Sequence, residues 1–348
     1  MTNHSSTLAE HGYHRLRIKE VVHETPDASS FVLDVPPELT EAFRYRPGQF
    51  CTFRFQIDGD EAVRSYSMSS APETDDDLTV TVKRVDGGLV SNWMLNHLQA
   101  GDEVELTKPA GVFCPQDHLG PALGFCGGSG ITPFMSITKH LLATTDRPVR
   151  LLYANRHASS VIFNETLVGL TTDHPDRLDV QRHVDADLGF LSASGIADFL
   201  GDTRDADCYL CGPGPFMDMV ESTLLRLGVP PEQILAERFL VEQQEKDATV
   251  VSGALLPDEV TVTLGGKTVT VAYKPGDTLL ESARRGGLRP PFSCTAGNCA
   301  TCMAFLHEGT VTMRANTALT PEEVEEGWIL TCQSLPTGKT IVVEYENL

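Results

Sequence analysis

Cys294-Thr-Ala-Gly-Asn-Cys299-Ala-Thr-Cys302, completed by Cys332, is the stretch around which the chain is organised. The spacing is C-x4-C-x2-C followed by a distant fourth cysteine, the ligand pattern of a 2Fe–2S cluster. Four thiolates must converge on two irons, so the loop has to wrap tightly. Ala296, Gly297 and Ala300 let backbone amides approach the sulfurs, and Gly297 takes a positive φ at little cost. A structural zinc site shows paired C-x2-C knuckles, which the wide first gap and the isolated Cys332 do not supply. A disulfide framework does not suit 348 residues with nine cysteines and no export signal. The expected metal ligands are therefore Cys294, Cys299, Cys302 and Cys332.

Outward from this loop, Pro291-Phe-Ser leads in and Glu326-Gly-Trp-Ile-Leu-Thr leads to Cys332. Val260–Leu264 and Thr268–Tyr273 alternate like a hairpin around Gly265-Gly266. Thr278–Arg285 reads as a short helix and Ile341–Tyr345 as a closing strand. On these residues, from Val260 to Tyr345, the sequence resembles plant-type ferredoxins. The resemblance implies a β-grasp ferredoxin domain, placed at 257–348.

A chain of this length calls for further domains. No apolar run approaches the length that spans a bilayer, so no membrane insertion is expected. The first residues, 1–12, are polar and read as a loose, disordered tail. Cys51, Cys114, Cys126, Cys208 and Cys211 lie outside the cluster pattern; unpaired thiols beside a cluster point to a reducing, cytoplasmic compartment. The formal charge of −21 argues against nucleic acid as a partner and reads as a solvated acidic surface.

Residues 13–115 carry the punctuation of antiparallel β structure. Tyr13–Val22, Ser30–Val35, Gln49–Gln56, Arg64–Ser69 and Leu78–Arg84 are short runs separated by Pro, Gly and Asp clusters, which suggests a small β-barrel. In Arg64-Ser65-Tyr66-Ser67, alternation puts Arg64 and Tyr66 on one face. A guanidinium grips a pyrophosphate bidentately, and an aromatic ring stacks on a flat heterocycle. Gly87-Gly88-Leu89-Val90-Ser91 then runs into a helix, Asn92–Leu98, and a helix start presents free amides to an anion.

In this order the two motifs resemble the flavin domain of the ferredoxin–NADP⁺ reductase superfamily. The resemblance implies FAD, with Arg64 at the diphosphate, Tyr66 on the isoalloxazine, Ser67 near N5 and Ser65 as a further cofactor contact. It also implies contacts from Val82, Lys83 and Gly88, Leu89, Val90 and Ser91. Val90 stands where the family often has Cys, a small departure because amides make those contacts. Lys108-Pro-Ala-Gly111-Val-Phe113 resembles the family's end-of-barrel segment. FMN-bearing relatives with this domain order exist, so FAD rests on the resemblance alone.

Between 119 and 240 the pattern changes to alternating strands and helices. Ala122–Cys126, Val149–Ala154, Leu178–Arg182, Cys208–Cys211 and Ile234–Ala236 read as strands. Pro133–Leu142, Val161–Leu170 and Pro215–Leu227 read as the helices between them. Such alternation predicts an α/β, doubly wound parallel sheet that binds its ligand at the carboxyl ends of the strands. Gly127-Gly128-Ser129-Gly130-Ile131-Thr132-Pro133 sits at the first such end, its glycines allowing close approach of a pyrophosphate. It is not G-x-G-x-x-G. It does resemble the same superfamily's G-G-x-G-I-T-P turn for NAD(P)H, which implies contacts from Gly128, Gly130, Ile131 and Thr132. Cys211-Gly212-Pro213 resembles the segment beside the nicotinamide. Glu237 is implied near the flavin edge and Phe239 near its ring. With Ser67, Tyr66, Cys211 and Glu237 form the implied catalytic group. Cys208 and Cys211 are C-x-x-C by spacing, but Cys208 falls inside an apolar strand and reads as core. Asn155 and Arg156 follow the second strand as cofactor contacts, and the choice between NADH and NADPH stays open.

Residues 241–256 read as a polar linker. A nicotinamide gives up two electrons together, a 2Fe–2S centre takes one, and a flavin handles both. The whole order resembles the reductase components of multicomponent bacterial oxygenases, nearest to those serving 3-ketosteroid 9α-hydroxylases and next to those of phenylacetyl-CoA epoxidases. The implied partner is a terminal, Rieske-type oxygenase and the implied state a monomer. The alternatives are a stand-alone flavin reductase and a redox-responsive binding protein.

Overall fold

The computed structural model describes residues 13–239, 256–292, 297, 300–316 and 318–345. The expected tail, most of the linker, Cys294 and Cys299 lie outside the described residues. The chain divides into two compact units, His14–Phe239 and the part from Leu240 onward.

The first unit begins with β1 (Tyr13–Thr25), β2 (Ala28–Asp34), β3 (Phe50–Ile57), β4 (Asp60–Ser67), β5 (Leu78–Lys83), α1 (Leu89–His97) and β6 (Glu103–Thr107). The sheet order is β4-β3-β6-β1-β2-β5, and the Met68–Val80 bridge joins its two edges into the expected barrel. Alternation fills the interior: Leu16, Ile18, Phe31, Leu33, Phe53, Phe55, Val80 and Val82 are all buried. Strand β6 was not anticipated. It is short and offers only Val104 and Leu106 to the core, while Glu105 turns out to meet Arg54 at 2.8 Å. Helix α1 starts earlier than the expected Asn92, so Gly88 is its N-cap.

The same unit continues with β7 (Ala122–Gly127), α2 (Ile131–Thr144), β8 (Val149–Asn155), α3 (Asn164–Asp173), β9 (Leu178–Val184), α4 (Asp185–Leu188), α5 (Ala193–Leu200), β10 (Asp207–Cys211), α6 (Gly214–Arg226) and β11 (Ile234–Glu237). The parallel sheet runs β11-β10-β7-β8-β9. Successive residues of β10 feed opposite faces. Tyr209 and Cys211 join the layer of α2 and α3, and Cys208 and Leu210 join the layer of α5 and α6. Cys208 is thus core, as its apolar strand implied. The expected helix at Val161 begins instead at Asn164, because Phe163 adopts a left-handed conformation (φ 60°) that helical geometry excludes. The order reverses between β7 and β10, which makes their carboxyl ends the switch point.

The second unit contains β12 (Glu259–Leu264), β13 (Lys267–Ala272), α7 (Leu279–Arg285), β14 (Met303–Glu308), β15 (Val311–Met313), α8 (Pro321–Glu326), β16 (Trp328–Leu330), β17 (Ser334–Pro336) and β18 (Val342–Tyr345). The main sheet, β13-β12-β18-β14-β16, pairs β12 with β18 in parallel and its other neighbours antiparallel, the β-grasp arrangement that the resemblance implied. Thr278 and Glu281 form a reciprocal capping box that starts α7. Val260, Val262, Leu279, Ala283 and Val343 make the core. Among the described residues, no helix is long and apolar enough to cross a membrane.

Candidate functional site

At the switch point two turns touch. A side chain on Gly130 would collide with the carbonyl oxygen of Cys211 and lie 2.7 Å from the Gly212 nitrogen, so the turn after β7 packs directly on the turn after β10. A Cβ on Gly127 would lie 2.8 Å from Pro213 Cδ. The Tyr153 hydroxyl, from the neighbouring strand, donates to Gly128 O at 3.0 Å, and Thr132 Oγ1 donates to Ser129 O at 3.0 Å. Ile131 is fully buried beneath the turn. This crowding brings two glycine turns together at the start of α2, where a helix N-terminus favours an anion.

Cys211 and Glu237 are register partners on β10 and β11. From the barrel, Ser67 Oγ donates to Glu237 Oε2 at 3.0 Å, across 170 residues of chain. Ser67, Cys211 and Glu237 are all buried. Three members of the expected catalytic group thus meet at one point. Burial pushes the Cys211 thiol well above its ordinary range, and Glu237 and then Cys126 push it further. It stays a neutral thiol at physiological pH.

The fourth member, Tyr66, is half-buried on β4, with its ring edge-on to Phe53 at 5.8 Å. Arg64 lies two residues earlier on the same face, with Nη1 donating to Val63 O at 2.6 Å. Ser65 faces the other way and shares a 2.8 Å hydrogen bond with Thr52. Gly88 caps α1 without a side chain, so the backbone at the helix start can be approached closely. Leu89 is exposed, Val90 packs into the barrel core, and Ser91 Oγ accepts the Val85 N–H at 3.1 Å. Val82 is likewise core.

Lys83 ends β5 beside Asp27, 3.7 Å away, and its Nζ is 3.7 Å from where a Gly128 side chain would project. The lysine expected at the flavin is therefore also a neighbour of the nicotinamide-side turn. Asn155 is 3% exposed, and neither atom of its carboxamide meets a partner at hydrogen-bonding geometry. An orphaned buried amide at a strand's carboxyl end suits a polar ligand. Arg156 beside it is exposed, and Phe239 is partly exposed just past β11. Together the groups fit a flavin and a dinucleotide: a guanidinium, a half-buried aromatic, a helix start capped by glycine and a buried carboxamide without a hydrogen-bond partner.

In the second unit, Cys302 and Cys332 are both buried, within a small cluster that includes Leu280, Leu319 and Leu330. Gly297 has φ 80°, and a Cβ there would lie 2.6 Å from Ala315 O; only glycine satisfies both constraints. Ala300 also has a positive φ, 54°. Left-handed backbone at Gly297 and Ala300, beside two buried thiols, fits a 2Fe–2S cluster. The Thr331 hydroxyl donates to Cys302 O at 2.9 Å, and Tyr345 OH donates to Thr331 Oγ1 at 2.8 Å. This support was not anticipated, because its members are dispersed in sequence.

Three family models match the chain: an oxidoreductase FAD-binding domain over residues 15–114, an oxidoreductase NAD-binding domain over 125–222, and a 2Fe-2S iron-sulfur cluster binding domain over 262–337. The 3-ketosteroid-9-alpha-monooxygenase ferredoxin reductase component of Mycobacterium tuberculosis is 40% identical, covering 95% of this chain and 96% of that one. One component of the 1,2-phenylacetyl-CoA epoxidase of Escherichia coli is 32% identical, covering 96% of this chain and 98% of that one. Among solved structures, a phthalate dioxygenase reductase aligns with a TM-score of 0.63 at 23% identity, covering 98% of this chain and all of the other, and shows the fold.

Proposed function

The chain belongs to the family of ferredoxin reductase components of oxygenase systems, and from that premise we propose that it takes electrons in pairs from NAD(P)H and delivers them singly, through FAD and a 2Fe–2S cluster, to a separate terminal oxygenase. The observation that carries this reading is the meeting of Ser67, Glu237 and Cys211 at the switch point, on the same chain as buried Cys302 and Cys332.

A bound flavin supplies two-electron uptake and one-electron release, the step that joins a nicotinamide to an iron–sulfur centre. The protein's part is to bind, orient and exclude water. Arg64 grips the flavin's diphosphate with the first amides of α1, and Tyr66 offers its ring to the isoalloxazine. The turn from Gly128 to Thr132 would hold the dinucleotide pyrophosphate, with further contacts from Asn155, Arg156 and Gly212-Pro213. Phe239, exposed just past β11, would contact the flavin ring. Glu237 Oε2 accepts a hydrogen bond from Ser67 Oγ, which orients the hydroxyl so that its lone pairs can accept another hydrogen bond. Cys211, kept protonated by burial, forms a small neutral wall where a charged thiolate would repel the incoming electron pair. Cys294, Cys299, Cys302 and Cys332 hold the cluster.

For the terminal oxygenase, the 40% and 32% identities rank a Rieske-type 3-ketosteroid 9α-hydroxylase ahead of a phenylacetyl-CoA epoxidase. The same reading takes the chain as a cytoplasmic monomer that engages neither nucleic acid nor membrane. Its net charge of −21 and its free thiols at Cys51, Cys114, Cys126, Cys208 and Cys211 support this.

Anaerobic stopped-flow with Cys299→Ser tests the relay. NAD(P)H should still bleach the flavin, while cytochrome c reduction and oxygenase turnover are abolished. A Cys299→Ser protein that drives the oxygenase at full rate would overturn the order.

A further inference from the structure

Gln333 directly follows the fourth cysteine and is buried, at 4% exposure. Its Nε2 lies 3.7 Å from Cys332 Sγ, within range of an N–H to sulfur hydrogen bond. That Sγ stands for the ligand thiolate of the loaded protein. The residue is pinned by its backbone: its N–H donates to Leu330 O at 2.9 Å, and its carbonyl accepts the Arg314 N–H at 2.9 Å. Its Cγ lies 3.2 Å from where a Gly297 side chain would project, so its stem rests against the cluster loop. A buried carboxamide is costly unless its polar ends are used. Beside a thiolate, the electrostatically favoured orientation points the amide hydrogens, not the oxygen, at sulfur.

We propose that the Gln333 carboxamide donates a hydrogen bond to the ligand sulfur of Cys332 and raises the reduction potential of the cluster. This rests on reading Cys332 as a cluster ligand. Reduction adds negative charge that spreads onto the sulfurs. An N–H dipole aimed at one of them stabilises the reduced form more than the oxidised form, and burial strengthens the effect. Gln333 is thus a positioning and tuning residue that touches a ligand atom. It acts on the cluster's affinity for the incoming electron without taking part in nicotinamide chemistry.

The test is an EPR-monitored redox titration of the holoprotein and of Gln333→Leu, with iron and acid-labile sulfide measured in each. The expected result is a fully loaded Gln333→Leu whose midpoint shifts negative, with flavin reduction by NAD(P)H unchanged. The shift should favour the oxidised cluster by roughly threefold to tenfold, tenfold being about 59 mV for one electron. Gln333→Glu, which sets a carboxylate beside the sulfur, should shift further in the same direction. A loaded Gln333→Leu with an unchanged midpoint overturns the proposal. Should the leucine variant fail to assemble its cluster, the unsubstituted protein decides. Gln333 is the sole glutamine from residue 256 to the end of the chain. Side-chain ¹⁵N-glutamine labelling should therefore give a ¹⁵N hyperfine coupling in the reduced cluster's pulsed EPR spectrum, and its absence overturns the proposal. An unsubstituted protein with no EPR-active cluster would instead sink the reading of the cysteines.

Discussion

The two units place their chemistry by different means. In the nucleotide unit, Cys211 and Glu237 are register partners at the end of a parallel sheet, and Ser67 reaches them from the end of β4. Each side chain inherits its position from a ladder of backbone hydrogen bonds. In the ferredoxin unit, Cys302 and Cys332 lie where loops meet short strands, held by side chains such as Thr331 and Tyr345. A site at sheet ends should resist small side-chain losses but not backbone intrusion. A site hung on buried hydroxyls should show the opposite sensitivity.

The largest difference should appear in alkali. The nucleotide unit buries five thiols, and burial raises every one of them. Cys114 is pushed up to about 11 and Cys208 to about 12, with Cys51, Cys126 and Cys211 raised as well. Below the ordinary thiol value of 9.0 both folded and unfolded chains keep these protons, and the stability is fully present. Above it the unfolded chain sheds them while the folded chain holds on. Each thiol then costs about 1.4 kcal/mol per pH unit until its folded value is reached. Between pH 9 and 11 the flavin should be released before the cluster's visible absorbance is lost. Loss of the cluster first, with flavin retained, would break the comparison.

Next in size is Gly130→Ala. The added methyl would occupy the place of the Cys211 carbonyl oxygen, and both turns are anchored at strand ends. The turns must separate, moving the dinucleotide from its flavin. A displacement near 1 Å costs on the order of 10²-fold in rate. Flavin reduction by NAD(P)H should fall by about that factor, with flavin content and cluster potential unchanged. A near-normal rate would show that the sheet ends yield more easily than their packing implies.

How far the chain could be read in advance follows the same division. The cysteine spacing and the Gly127–Pro133 turn are local; the turn lies at the end of β7, and of the four cysteines the described Cys302 and Cys332 are buried in one cluster. The Ser67–Glu237 contact joins residues 170 apart, and only a resemblance brought them together on paper. Strand β6 escaped because it offers only two side chains to the core. Phe163 escaped because a left-handed residue delays a helix without leaving a pattern in the sequence. Asn155 was placed at the cofactor, but its unpartnered amide is visible only once its neighbours are. Thr331 and Gln333 flank Cys332 in the stretch that carries the ferredoxin resemblance, but the carbonyl and the sulfur that they face are visible only in the fold.

The smallest expected effect, Thr331→Val, examines the ferredoxin side of the contrast. The substitution keeps shape and removes one hydroxyl, which bonds Cys302 O and accepts from Tyr345 OH. All three groups are buried, so the tyrosine hydroxyl loses its partner and finds no water in exchange. Stranding such a group costs about 1–3 kcal/mol. That loss should fall on the ferredoxin unit alone, lowering the midpoint of cluster bleaching in urea while leaving flavin release and NAD(P)H oxidation unmoved. Pairing the change with Tyr345→Phe separates the two bonds. If the tyrosine matters chiefly through Thr331, the double variant should cost less than the two single losses added together. Strict additivity would mean that each hydroxyl supports the cluster loop by its own route, and the side-chain scaffold inferred for this unit would have to be redrawn.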